Sequence, residues 1–269
     1  MMHSLTRIFA LARLVFIDGV RRRALLGLFL LALFVELGGL FFFSFVPRDI
    51  GRVLVDYVVT IGWASGMLYL LFHAVQVMSW GEDRRVIQTL LAHPLSRTEY
   101  VLGVFAGLFG LLLVLNGLMA TVSYAVLVFV KGSVGPAFFQ HLGVGEYLLA
   151  WCGAIFLQGM MLSVIALFSG LVRGGFSVLL LSVAYYLISN GLPAALEFFK
   201  DGAPVSRHLL TGLTFFFPNF DRWDYKGMVI VLDGLPPLQT LAFDTAFVVL
   251  YCALVLTLAA KVYSTRDIK

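Results

Sequence analysis

Long apolar runs separated by short polar segments dominate the pattern along this chain. Six runs reach the roughly 20 residues that an α-helix needs to cross about 30 Å of hydrocarbon. Transmembrane strands would instead be segments of about ten residues with alternating polarity. The pattern predicts an all-α integral membrane protein, one domain over residues 1–269 with six transmembrane helices. Spans 1–5 lie within 24–199 and the sixth follows the longest loop; the runs are 24–46, 53–80, 100–130, 147–171, 176–199 and 241–260.

The segment before the first span has its own helical pattern. Apolar residues recur near helical spacing over 1–23, and arginines flank them. This combination is typical of an amphipathic helix that lies in the membrane interface. The alternative is a frayed extension of the first span.

The loop before the sixth span, residues 200–240, is the longest segment outside the apolar runs, and four prolines interrupt it. Residues 215–223 contain four Phe and one Trp among charged residues. Aromatic residues with polar neighbours favour the headgroup zone, so we expect the loop to fold back onto the membrane interface. A small solvated cap with its own core is the alternative.

Composition agrees with a membrane protein, and the charge distribution orients it. Of all residues 61% are hydrophobic and only 13% are charged, about half the charged fraction that covers a soluble domain. Cytoplasmic segments carry more Lys and Arg, which favours both termini inside, with 261–269 as a cytoplasmic tail. In this orientation twelve of the 19 basic residues lie on the cytoplasmic side: Arg7, Arg13, Arg21, Arg22, Arg23, Arg84, Arg85, Arg97, Arg173, Lys261, Arg266 and Lys269.

The polar segment between the second and third spans predicts a short cytoplasmic helix. Glu82 and Asp83 begin this helix, because the positive end of a helix dipole favours negatively charged residues, and Pro94 ends it. Ser96 and Glu99 have the spacing of a capping box, so the third span is expected to begin before the bilayer. The apolar side of the short helix consists of Val86, Ile87, Leu90 and Leu91. An exposed apolar side requires another protein or the membrane to bury it.

This stretch resembles the segment before the third span of bacterial type-2 ABC transporter permeases. The matching residues are Glu82, Arg85, Ile87, Leu90, Leu91, Ala92, Pro94, Leu95, Ser96, Arg97, Tyr100, Leu102 and Gly103. In that family the segment is a coupling helix that sits in a groove of the ATPase subunit. The resemblance also covers the layout: an N-terminal interfacial helix, six spans, both termini inside, and a re-entrant outer loop before the last span. It assigns ATPase coupling to Glu82, Asp83, Arg84, Arg85, Val86, Ile87, Leu90, Leu91, Pro94 and Arg97.

The resemblance implies the membrane-spanning permease subunit of an ATP-binding cassette exporter, multi-pass in the bacterial inner membrane. Its expected partners are the lipid bilayer, two copies of a P-loop ATPase that carries ATP and Mg²⁺, and a second permease, identical or similar. The chain has no GxxxxGK[ST] motif and its histidines are scattered, so we expect neither enzyme activity nor a cofactor, metal or nucleic-acid site in it. The substrate is unidentified, and an amphiphile would suit so apolar a chain. The alternatives are an ion-coupled secondary transporter and a non-transporting scaffold in cell-envelope assembly.

Polar residues inside the apolar runs are the remaining candidates, because charge within a bilayer is costly. Glu36 in the first span and His73 in the second are candidates for a polar lining or an interhelical lock, and a structural hydrogen bond is an equal alternative for His73. Asp56 and Asp244 lie near span ends, and we expect them in the headgroup zone. Pairs of glycines four residues apart, including Gly103 with Gly107, predict close helix packing.

Overall fold

The computed structural model describes residues 2–41, 50–83, 95–135, 139, 143–198, 204–214, 216–229 and 236–265. The chain is helical throughout these ranges, apart from turns and short connections, and no strand occurs in them. We number the α-helices in chain order: α1 Met2–Arg21, α2 Ala24–Gly39, α3 Ile50–Leu68, α4 Val75–Asp83, α5 Arg97–Val134, α6 Val144–Leu171, α7 Gly175–Phe198, α8 Pro204–Leu213 and α9 Leu238–Thr265.

Five helical stretches are long and apolar enough to cross a membrane, the signature of a multi-pass membrane protein. They are Ile50–Ser79, Arg97–Val134, Val144–Leu171, Gly175–Phe198 and Leu238–Thr265. The first apolar run predicted from the sequence contains α2, which is shorter than these stretches, and residues 42–49 of that region lie outside the described residues. The all-helical class is thus confirmed over the described residues, where five helices have the length and composition of membrane spans.

The helices form one bundle with α6 at its centre. Cβ atoms added to Gly62 and Gly66 of α3 would meet Trp151 and Gln158 of α6, so these two helices run in the same direction. α5 runs the opposite way. We call the two ends of the bundle the Arg97 end, where α5 begins, and the Tyr147 end, where α6 begins. Most of α6 is buried, whereas α7 and α9 leave most of their residues on the bundle surface.

A sharp break separates α1 from α2. Arg23 has φ 57, a left-handed conformation that is uncommon outside glycine, and Arg22 is paired with Asp18 of α1 at 2.7 Å. The first span is therefore not extended by residues 1–23, and that alternative is wrong. α1 instead lies along the first turns of α5: Gly103 approaches Leu11, and Gly107 approaches Ala12 and Val15.

A π-helical turn, Tyr69–Ala74, joins α3 to α4 inside one continuous span. Such turns insert an extra residue per helical turn and are frequent at functional sites. The periodic apolar pattern of this region gives no local signal for the insertion. The turn places His73 at a position where the regular helical register is interrupted.

Residues 216–229, the folded-back segment, pack on the spans at the Tyr147 end. The segment contains two 3-10 turns, Phe220–Trp223 and Lys226–Val229, and buries Trp223 and Tyr225. A Cβ on Gly153 of α6 would lie 2.1 Å from the Trp223 carbonyl oxygen, so the two backbones meet at this glycine. The described part of the loop thus folds back onto the bundle, and Phe220, Trp223 and Tyr225 join the main core rather than a separate one, whereas Phe216 is exposed.

Candidate functional site

Most of the predicted ATPase-coupling segment lies outside the described residues. Glu82 and Asp83 belong to the last turn of α4, without a described side chain. The structure describes the flanks, α4 before the segment and α5 after it. The predicted residues that fall outside are Arg84, Arg85, Val86, Ile87, Leu90, Leu91 and Pro94.

The capping box predicted at the start of the third span is present. The Ser96 hydroxyl accepts a hydrogen bond from the backbone N–H of Glu99 at 3.2 Å. In return, the Ser96 backbone N–H donates to the Glu99 carboxylate at 2.9 Å. Because α5 has 38 residues, it is about 57 Å long and exceeds the hydrocarbon thickness by far.

Arg97 and Glu99 join the start of α5 to two other helices. The Arg97 guanidinium donates to the carbonyl oxygens of Tyr263 and Ser264 at 2.9 and 3.0 Å, which satisfies carbonyls at the end of α9. Glu99 lies 3.9 Å from Arg7 of α1. We call Ser96, Arg97 and Glu99 the α5 base. It connects α1, α5 and α9 directly after the predicted coupling segment.

Glu36 lies in a buried polar cluster at contacts between α2, α5 and α6. Its side chain is fully buried and adjoins the hydroxyl of Ser123, but neither group completes a hydrogen bond within the described residues. The neighbouring Trp151 indole nitrogen is also buried without a partner there. Tyr147 packs edge-on against Trp151 and donates its hydroxyl proton to the Ala120 carbonyl at 2.6 Å. Within the described ranges, a carboxyl, a hydroxyl and an indole N–H thus have no hydrogen-bond partner in one region of the core.

Glu36 and His73 lie far apart. The Tyr57 hydroxyl donates to the carbonyl oxygen of Val35, the residue before Glu36. Tyr57 precedes His73 by 16 positions on one continuous helix, which separates the two residues by about 24 Å. The His73 ring packs 5.2 Å from the Tyr69 ring, and its Nε2 is buried without a partner in the described part of the chain. The two predicted polar residues therefore do not form one site.

A hydrogen-bonded layer of polar side chains lies between the levels of Glu36 and His73. The sequence analysis did not predict it. The Asn116 amide donates to the Gln158 side-chain oxygen at 2.7 Å, and Gln158 donates to the Trp63 carbonyl at 3.2 Å. Gln158 fits because Gly66 leaves room for its amide. The available signal was a single Asn and a single Gln, each in the middle of an apolar run.

Asp244 ties α9 to the folded-back segment, a pairing that the sequence did not predict. Its side chain is buried and accepts hydrogen bonds from Arg222 at 2.6 Å and from the Tyr225 hydroxyl at 2.8 Å. Burial, together with the adjacent Asp244 carboxylate, raises the pKa of Tyr225 above its ordinary value. The hydroxyl therefore keeps its proton, and the bond to Asp244, through the neutral pH range. Asp56, by contrast, is exposed.

A cavity of about 200 Å³ lies between α3, α6, α7 and the folded-back segment. Its aromatic wall consists of Trp63, Tyr186, Phe220 and Trp223. Asp224 and Lys226 also line it, and they carry its charge. Among the described residues no cluster of three or more His, Cys, Asp or Glu side chains has the arrangement of a metal site.

Replacing Glu36 by glutamine is expected to leave the thermal stability unchanged or raise it by about 1 kcal/mol. A buried carboxyl without a partner costs free energy, and an amide of the same volume adds a donor for the Ser123 hydroxyl. Thermal unfolding of the purified protein in an uncharged detergent measures the effect. Glu99→Ala is the contrasting variant, since Glu99 has partners in the capping box, and it should lose about 1 kcal/mol. A clear loss of stability in Glu36→Gln would mean that the carboxyl has a partner outside the described residues.

No protein-family model matches this chain, and no curated protein matches it.

Proposed function

We propose that this chain is the permease subunit of an ATP-binding cassette exporter and moves an unidentified substrate of amphiphilic character. In this proposal six helices cross the bacterial inner membrane, with α2 as the core of the first span. A separate P-loop ATPase, in two copies, binds and hydrolyses ATP with Mg²⁺. The permease itself pairs with a second copy or a similar chain.

The observation that carries the proposal is the α5 base. A coupling element must pass a displacement into the membrane domain, and therefore needs stiff connections at its ends. The predicted segment is followed immediately by a capped helix of 38 residues, whose first turn also bonds to α9 and lies beside α1. A push on residues 82–94 would move α4 and α5 directly, and α1 and α9 through Glu99 and Arg97.

Charge supports the orientation of this arrangement. Arg7 lies beside Glu99 and Arg173 lies in the α6–α7 turn, both at the Arg97 end. The arginines of the α1–α2 junction, Arg21, Arg22 and Arg23, lie further along α5, because Gly19 just before them approaches Leu111. An excess of basic residues marks the cytoplasmic side of membrane proteins. The same end would therefore face the ATPase, and the folded-back segment would lie at the opposite surface.

Copurification of the full-length chain from its native membranes tests the proposal. We expect a P-loop ATPase in the purified complex, identified by mass spectrometry. Reversing two charges together, Glu82→Lys with Arg85→Glu, should remove the ATPase. Lys131→Glu, a charge reversal near the opposite end of α5, is the matched control and should retain it. Absence of any ATPase from the wild-type complex, or its full retention by the double variant, would refute the coupling role.

The Glu36 carboxyl, which has no hydrogen-bond partner in the described part of the chain, favours one second candidate, an ion-coupled secondary transporter. Buried ionisable groups within spans are characteristic of proton and ion pathways. Flux in reconstituted vesicles separates the two candidates. A proton gradient without ATPase would drive an ion-coupled carrier, whereas the exporter would require ATP and the partner subunit.

A further inference from the structure

We propose that the cavity beneath the folded-back segment is a binding site for a small organic ammonium ion with an aromatic or alkyl body. This inference is independent of the energy source discussed above. It rests on the shape of the cavity, the chemistry of its wall and the charges at its edge.

The cavity has the size of a small ligand site. A volume of about 200 Å³ exceeds the roughly 150 Å³ that holds a benzene molecule in a protein core. Small residues of α6, among them Gly153 and Ala154, leave the space on one side. The folded-back segment closes the other side, so a bound molecule would be enclosed by four elements of the fold.

Aromatic side chains from α3, α7 and the folded-back segment line the cavity. The rings of Trp63 and Tyr186 lie 5.9 Å apart, and those of Tyr186 and Phe220 are stacked at 6.2 Å. Aromatic faces carry partial negative charge and attract cations, most strongly when water is excluded. The wall thus suits an organic cation, and also a flat or branched apolar group attached to it.

Carboxylates outnumber cations at the edge of the cavity. The Lys226 ammonium lies 3.3 Å from the Asp224 carboxylate and 3.7 Å from the Asp56 carboxylate. These three groups sum to one negative charge. An ammonium ion next to Asp224 would neutralise this net negative charge, whereas an anionic ligand would be repelled by it.

Binding of three probes of similar size to the full-length protein, in an uncharged detergent, tests the site. The probes are benzyltrimethylammonium, benzyl alcohol and benzoate. Calorimetry and tryptophan fluorescence measure their binding. We expect the cation to bind about tenfold more tightly than either of the others. Equal affinities for all three probes would indicate simple apolar partitioning and overturn the proposal, as would the absence of saturable binding.

Two variants should shift the affinity for benzyltrimethylammonium in opposite directions. Asp224→Asn removes the lining carboxylate and should weaken binding about five- to tenfold, whereas Lys226→Gln removes the competing ammonium and should strengthen it several-fold. A gain of affinity is not explained by misfolding. Glu146→Gln removes a carboxylate at the same end of the bundle that does not line the cavity, and should change nothing. Unaltered affinity in both cavity variants would refute the assignment.

Discussion

Replacing Gly153 by alanine is expected to detach the folded-back segment from the bundle and lower the stability by about 3 kcal/mol. The added Cβ would lie 2.1 Å from the Trp223 carbonyl oxygen and 2.9 Å from the Tyr225 ring, distances that side chains do not tolerate. The closest obstacle is backbone, so no rotamer change relieves the clash. Overpacking of a core typically costs about 1–3 kcal/mol, and the upper end applies because a whole segment must move.

Thermal unfolding measures the loss of stability, and limited proteolysis of residues 216–229 measures the detachment of the folded-back segment. Gly191→Ala is the matched control: Gly191 also lies within a spanning helix, and a Cβ there meets nothing within 4 Å. Alanine at that position should be neutral or stabilising by up to about 1 kcal/mol, because glycine is a poor helix former. Equal stability and equal protease resistance of the two variants would contradict the packing at Gly153.

Features encoded by neighbouring residues could be predicted from the sequence. Ser96 and Glu99 form the capping box that their spacing indicated, because both partners belong to one helical turn. The tight turn between α6 and α7 similarly depends on Gly174, whose φ is 87, a conformation that glycine adopts readily. In these cases the chemistry that determines the structure lies within a few residues.

The ends of the helices were less accessible to prediction. The apolar run 100–130 corresponds to Arg97–Val134, and 241–260 to Leu238–Thr265. Hydrophobicity identifies the part of a helix that suits hydrocarbon, whereas hydrogen bonding extends the helix into polar residues until a cap ends it. The additional turns matter for function, since they contain Arg97 and its acceptor Tyr263.

Long-range pairings remained outside the reach of the sequence. The fold brings Arg222 and Tyr225 to Asp244, and Gln158 meets Asn116 across two helices. The π-helical turn has no periodic signature either. Each of these depends on which helices become neighbours, and apolar periodicity does not specify that choice.

The pairing of Asp244 leads to the second large effect, a loss of about 2–3 kcal/mol on replacement by alanine. The Tyr225 hydroxyl would lose its acceptor while remaining buried, which costs about 1–3 kcal/mol. Arg222 would lose a charge-assisted bond, but its side chain is 43% exposed and recovers part of that energy from water. α9 would then no longer be tied to the folded-back segment through this residue.

A series of variants separates the contributions to this pairing, with thermal unfolding in an uncharged detergent as the measurement. Tyr225→Phe removes both the hydroxyl and its need for a partner, so it should cost only about 1 kcal/mol. Asp244→Asn keeps the shape and an acceptor oxygen, and should fall between Tyr225→Phe and Asp244→Ala. Thr245→Ala, next to Asp244 but exposed, should be close to neutral. The order is decisive: if Asp244→Ala were no worse than Thr245→Ala, the buried carboxylate would contribute nothing to holding α9 against the folded-back segment.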